Sequence, residues 1–98
     1  MEKRVAHYSL ESIKILIEQN RYIVTSSARV SYTELGFEDN EVLDIIKSLK
    51  PSDLYKSMTS YHNSKIWQDV YHSRSKGIDL YIKLQINEDA IVISFKEL

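Results

Sequence analysis

The chain has 98 residues, 43% hydrophobic and 28% charged, with a formal net charge of −1, the balance of one ordinary folded domain spanning residues 1–98. It has no cysteine, two glycines and one proline, which excludes disulfide frameworks, thiolate nucleophiles and cysteine zinc sites, and with them the glycine-rich loops that cradle phosphates. The three histidines, His7, His62 and His72, are too scattered for a metal-binding helix, the N-terminus lacks the apolar run of a signal peptide, and no apolar run approaches the ~20 residues that span a bilayer, so a cytoplasmic chain without membrane contact, metal or cofactor is expected.

In chain order, Ser9 reads as an N-cap before Leu10, Ile13, Leu16 and Ile17 at helical spacing, with Asn20 as the stop. Tyr22-Ile23-Val24 is a short β-branched run suited to an edge strand. Thr25, Ser26 and Ser27 can cap a second short helix running toward Leu35-Gly36, where the glycine suits a C-terminal stop. A third helix starts in Glu38-Asp39-Asn40 and carries Val42, Ile45, Ile46 and Leu49 on one face. Its first-turn acids complement the positive end of the helix dipole, and Pro51 ends it.

Beyond Pro51 the period changes to two. Leu54–Tyr61 is expected as a strand although its alternation is poor, since Leu54, Lys56 and Met58 would share a face. Ile66, Gln68, Val70 and His72 alternate with Trp67, Asp69 and Tyr71. Leu80, Ile82, Leu84 and Ile86 alternate with Asp79, Tyr81, Lys83 and Gln85; a turn at Asn87-Glu88-Asp89 follows, and then Ile91, Ile93 and Phe95 alternate with Val92, Ser94 and Lys96. The expected fold is α+β: N-terminal helices packed on one face of a mainly antiparallel C-terminal sheet of three or four strands, with the other face open.

Charge is unevenly spread. Between Leu54 and Lys83 five cations (Lys56, Lys65, Arg74, Lys76, Lys83) stand against two anions, whereas Glu34 to Asp44 holds five acids and no base. Helix-start acids account for part of this; a cationic face suited to a phosphate backbone is the sharper alternative. On the open face, period two groups Tyr81 with Lys83, and Gln68 with His72; Lys56 and Lys96 join them if their strands point the same way. A solvated sheet surface has the same pattern. Tyr55, Tyr61 and Trp67 read as core or rim residues.

The runs Met1-Glu-Lys-Arg4, Asp53-Leu-Tyr-Lys-Ser-Met-Thr-Ser-Tyr61, Ile66-Trp-Gln-Asp-Val-Tyr71 and Ile93-Ser-Phe-Lys-Glu97 resemble the MqsR family, the motility quorum-sensing regulators of bacterial toxin–antitoxin systems, over nearly the whole chain. The resemblance implies a RelE-like ribonuclease fold, cleavage of messenger RNA preferentially at GCU sequences, and a cognate antitoxin, MqsA-like, that binds zinc and carries a DNA-binding domain. It implies catalytic roles for Lys56, Gln68 and Tyr81, and activity or RNA contact for Tyr55, Met58 and Lys96. His72-Ser73-Arg74 stands where the family often has Arg-Pro-Arg. With Lys83 on the Tyr81 face, His72, Arg74 and Lys83 complete the expected RNA contacts.

These residue types can cut RNA, because RNA carries its own nucleophile. A metal-free enzyme need only deprotonate the 2′-hydroxyl, stabilise the phosphorane and protonate the departing 5′-oxygen, leaving a 2′,3′-cyclic phosphate and a 5′-hydroxyl. Lys56 can neutralise the growing phosphorane charge, or act as base if burial or nearby cations bring its pKa well below ~10.4. The Gln68 amide can only hold the phosphate or 2′-oxygen in line. Tyr81, with an ordinary pKa of ~10, is the candidate acid. His72, expected near Gln68 on the same face, would replace a permanent cation with one present only in mild acid. The competing reading is a non-catalytic protein- or RNA-binding module acting in transcriptional regulation.

Overall fold

The computed structural model describes residues 1–98. Three helices, α1 (Leu10–Glu18), α2 (Ser26–Glu34) and α3 (Asp39–Lys47), pack on a six-stranded sheet of β1 (Glu2–Lys3), β2 (Tyr22–Val24), β3 (Leu54–Thr59), β4 (Trp67–Ser75), β5 (Ile78–Asn87) and β6 (Ala90–Glu97). The strand order is β1-β3-β4-β5-β6-β2. Every pairing is antiparallel except that of β2 with β6, which is parallel. The α+β expectation holds, and the sheet is larger than the three or four strands expected. Glu2–Lys3 adds an edge strand at one side, and Tyr22–Val24 adds the other.

Local chemistry sets the helix boundaries. The side chains of Ser9 and Thr25 accept the backbone N–H groups of Ser12 and Ala28, each satisfying one of the donors a helix N-terminus leaves unpaired. Glu38 opens α3, with Glu41 accepting its N–H. α3 stops at Ser48, three residues before Pro51, and the proline instead starts a single 3-10 turn, Pro51–Asp53, leading into β3. At the β5–β6 hairpin Glu88 and Asp89 both adopt positive φ (51° and 66°), the left-handed pair whose twist matches the flanking strands.

The core lies between the helices and the inner face of β5 and β6. Ile13, Ile17, Tyr32, Val42, Ile46 and Leu49 meet Leu80, Ile82, Leu84, Ile91, Ile93 and Phe95, all nearly or fully buried. The helices cover only this part of the inner face. Over β3 and β4 the cover is the N-terminal segment itself: the His7 ring stacks on Trp67 at 5.5 Å, Lys3 Nζ lies 4.2 Å above the same indole, and the Tyr8 hydroxyl donates to the Trp67 carbonyl. Trp67 is thus a half-buried inner-face residue, as expected for core or rim. Tyr61 is not: it is 97% exposed, because the strand ends at Thr59 and the loop carries it away from the sheet.

Asp69 sits beneath that segment, fully buried on the inner face of β4. Its carboxylate accepts the backbone N–H groups of His7 and Tyr8 at 2.9–3.0 Å. Hydrogen bonds to a charged acceptor are among the stronger ones, and stranded buried donors cost ~1–3 kcal/mol each. Asp69→Ala is therefore expected to lower unfolding stability by about 3 kcal/mol in urea denaturation and to speed amide exchange selectively in residues 1–9. Wild-type stability and unchanged exchange would show that the anchor is dispensable.

Candidate functional site on the open sheet face

The open face is organised by one irregularity in β3. The β3–β4 register runs Leu54↔Tyr71 and then Lys56↔Val70, leaving Tyr55 as an extra residue. This bulge explains the poor alternation read from the sequence. Leu54 points into the core with Tyr71, and the inserted residue resets parity so that Lys56 and Met58 face outward with Val70 and Gln68. Tyr55 also turns outward, where its ring stacks on His72 at 4.3 Å.

Three cross-strand rows result. One holds Met58 and Gln68, whose amide donates to the Gln85 side chain at 2.7 Å. The middle row runs Lys56–Val70–Lys83–Ser94, and the next His72–Tyr81–Lys96. Lys56, Tyr55, His72, Tyr81 and Lys96 form one cluster: the Lys56 and Arg4 charges lie 5.5 and 5.7 Å from the Tyr55 ring, His72 and Tyr81 are 6.1 Å apart, and Lys96 Nζ stands 4.8 Å over Tyr81. Gln68 is not in it. Gln68 and His72 are four positions apart along β4, about 13 Å at strand rise, so the expected proximity of those two fails. Gln68 instead lines a cleft of about 370 Å³ with Met58, Tyr61, His62 and Lys83. A second cleft of about 370 Å³ opens between α2 and the strands, lined by Ser27, Ser31, Tyr81, Lys83, Ser94 and Lys96. Lys83 borders both.

His72 does not project toward solvent as a free contact. Its Nε2 is buried without a hydrogen-bond partner, and its ring supports Tyr55. Several cations of the basic segment are also neutralised. Arg74 pairs with Asp79 at 2.8 Å, Lys76 pairs with Glu41 at 2.7 Å, and Lys56 pairs with Glu2. Part of the acidic run at the start of α3 thus serves to hold the β4–β5 hairpin. Lys83 and Lys96 remain without an ion pair on the open face.

Glu2 and Arg4 are the residues that sequence reading missed. A two-residue strand has no readable period, and its partner lies more than fifty residues away. The Glu2↔Met58 register brings the Glu2 carboxylate to Lys56 Nζ, and Arg4 donates to the Tyr55 carbonyl at 3.1 Å. The hydrogen bond and charge of Glu2 hold the Lys56 pKa above its ordinary value despite some desolvation. Lys56 is therefore a fixed cation rather than a neutral amine. Burial raises the Tyr81 pKa, only partly opposed by Lys56, so the phenol keeps its proton at neutral pH. A cation, a protonated phenol and flanking clefts in one apolar-floored face make a site that can bind a phosphodiester and stabilise charge developing on it.

Such a face on a helix-covered antiparallel sheet defines a class: small α+β proteins with cations and aromatic rings gathered on one open sheet face. Similarity to known proteins narrows it. Residues 5–97 match the family described as motility quorum-sensing regulator, toxin of MqsA, and the chain is 39% identical over 97 residues to the mRNA interferase toxin MqsR of Escherichia coli strain K12, covering 99% of each chain. The chain belongs to this toxin family.

The Glu2–Lys56 pair makes a direct check possible. Its contribution is present above the ordinary carboxyl range and is lost as pH falls through the depressed Glu2 pKa, lowered chiefly by the Lys56 hydrogen bond. An NMR titration of the Glu2 side-chain carboxyl is expected to show a midpoint below 4.5 that returns toward that value in Lys56→Met. An unshifted midpoint in the unsubstituted protein would mean that the pair does not form in solution.

Proposed function

We propose that this chain cuts messenger RNA at GCU-type sequences, without a metal ion, by attack of the RNA's own 2′-hydroxyl. As a member of its family it is a toxin and an mRNA interferase, that is, an endoribonuclease. The observation that carries the mechanistic reading is the permanently charged Lys56 beside the protonated Tyr81 on one open face. Lys56 stabilises negative charge on the non-bridging oxygens of the phosphorane. Tyr81 gives its proton to the departing 5′-oxygen. Gln68, one row from Lys56 and two from Tyr81, and oriented by Gln85, positions the nucleotide in line rather than touching the same phosphate oxygen as Tyr81.

The RNA backbone then runs diagonally across the face, from the Gln68 and Met58 cleft, past Lys83, to the cleft beneath α2. Lys83 and Lys96 contact phosphates, and Tyr55, propped by His72 and 46% exposed, offers a ring for base stacking. Arg74, held by Asp79 at the end of the face, contributes at the margin. The GCU preference follows from the resemblance of the Lys56, Gln68 and Tyr81 motifs to the family. The substrate is cytoplasmic mRNA; no helix is long and apolar enough to cross a membrane. The partner is an MqsA-type antitoxin with a zinc site and a DNA-binding domain, through which the pair reaches DNA.

Purified, antitoxin-free protein in EDTA is expected to cleave a short GCU-containing RNA. Lys56→Ala and Tyr81→Phe should each slow the reaction about 100-fold or more, the scale of losing one transition-state charge partner or a general acid. Gln68→Ala should slow it about 10-fold through lost alignment, and all three should keep wild-type circular dichroism. Intact RNA with folded wild type would favour the non-catalytic binding module, and near-normal rates in all three variants would remove these residues from the site.

A further inference from the structure

The reaction needs a group that takes the 2′-hydroxyl proton, and Lys56, Gln68 and Tyr81 do not supply one. Lys56 and Tyr81 are both protonated at neutral pH, and an amide such as Gln68 does not titrate. Asp69 is buried on the opposite face and committed to the amides of His7 and Tyr8. Asp79 is held by Arg74 at the end of the face. His62 stands on the rim of the Gln68 cleft with no hydrogen bond to orient it, and the His72 Nε2 is enclosed.

One carboxylate remains on the face. Glu2 lies on the edge strand, in register with Met58, with its side chain 55% exposed and bonded to the lysine of the middle row. From its pairing with Lys56, and resting on the ribonuclease reading above, we propose that Glu2 is the general base of the cleavage reaction. A phosphodiester that docks on the Lys56 ammonium takes the position beside Glu2, which brings the adjoining ribose 2′-hydroxyl to the carboxylate. The groups facing Glu2 are Lys56 from β3, and Arg4 and the N-terminal ammonium from its own segment; all are cations, so the carboxylate stays ionised until substrate arrives. When the phosphate shares Lys56, the carboxylate loses part of that stabilisation and becomes a better proton acceptor.

The step balances. Glu2 takes the 2′-proton, the 2′-oxygen bonds to phosphorus, the bond from phosphorus to the 5′-oxygen breaks, and that oxygen takes the Tyr81 proton. The products are a 2′,3′-cyclic phosphate and a 5′-hydroxyl, and solvent water restores Glu2 and Tyr81 to their starting protonation states.

The test is single-turnover cleavage of a short GCU-containing RNA from pH 4 to 8 by wild type, Glu2→Gln and Glu2→Asp, alongside binding of the same RNA with a 2′-deoxy residue at the cut. Wild type should show a unit-slope acid limb in the carboxyl range. Glu2→Gln should lose that limb and about 100-fold in rate, yet bind the deoxy RNA at least as tightly because Lys56 no longer has a competing anion. Glu2→Asp should keep the limb at reduced rate. A Glu2→Gln enzyme with wild-type rate and limb overturns the proposal, as does one that loses rate and binding in equal proportion, which is the mark of a residue that only positions Lys56. An acid limb near pH 6.5 that persists in Glu2→Gln also overturns it, in favour of a histidine. If wild type does not cut the RNA at all, the ribonuclease reading fails instead.

Discussion

A buried carboxylate is costly unless every oxygen has a partner, and Asp69 meets that condition by capturing the backbone of a segment more than sixty residues away. The capture has two consequences. It closes the part of the inner face that the three helices leave bare, with His7, Tyr8 and Lys3 laid over Trp67. It also holds residues 1–9 where β1 can pair with β3, although two residues of strand have little pairing strength of their own. Without that anchor Glu2 has no reason to lie beside Lys56. A structural group on one face of the sheet therefore governs the electrostatics of the other.

The bulge at Tyr55 is the second constraint. In a regular strand with Leu54 in the core, Tyr55 would face outward and Lys56 inward, where a charged amine could not be tolerated without a buried partner. The extra residue lets Tyr55 and Lys56 share the open face and strengthens the local twist. The fold thereby concentrates cations and aromatic rings at the β3 side of the face, while pairs such as Arg74–Asp79 and Lys76–Glu41 withdraw other charges for structural use. A net charge of −1 is compatible with an RNA-facing surface because Lys83 and Lys96 stand on the open face without an ion pair. Such a surface predicts a shallow salt dependence compared with a strongly basic ribonuclease.

The strong periodicities were readable. α1 and α3 follow from caps and apolar spacing, α2 from its cap residues and the glycine stop, and β4, β5 and β6 follow from alternation over eight to ten residues, where one buried face leaves no other register. What could not be read was non-local. β1 is too short to carry a pattern, the parallel pairing of β2 depends on where α1 delivers the chain, and the β3 bulge appears in the sequence only as failed alternation. Within the site, Lys56, Gln68 and Tyr81 were singled out by family resemblance, and their outward placement was readable from parity only for Tyr81 and Gln68. That Gln68 lies two rows from Tyr81, that His72 supports Tyr55 instead of reaching out, and that Glu2 fixes the charge of Lys56 all depend on pairings between distant segments.

In the proposed chemistry this face makes the RNA attack itself through its own 2′-hydroxyl. The most direct measurement uses two RNAs that differ by one atom: after the cut is mapped, the nucleotide on its 5′ side is replaced by its 2′-deoxy counterpart. Cleavage at that bond should disappear while the modified RNA still binds, and fragments from the unmodified RNA should end in 2′,3′-cyclic phosphate and 5′-hydroxyl. Continued cleavage at the modified position, with water as the nucleophile, would contradict it.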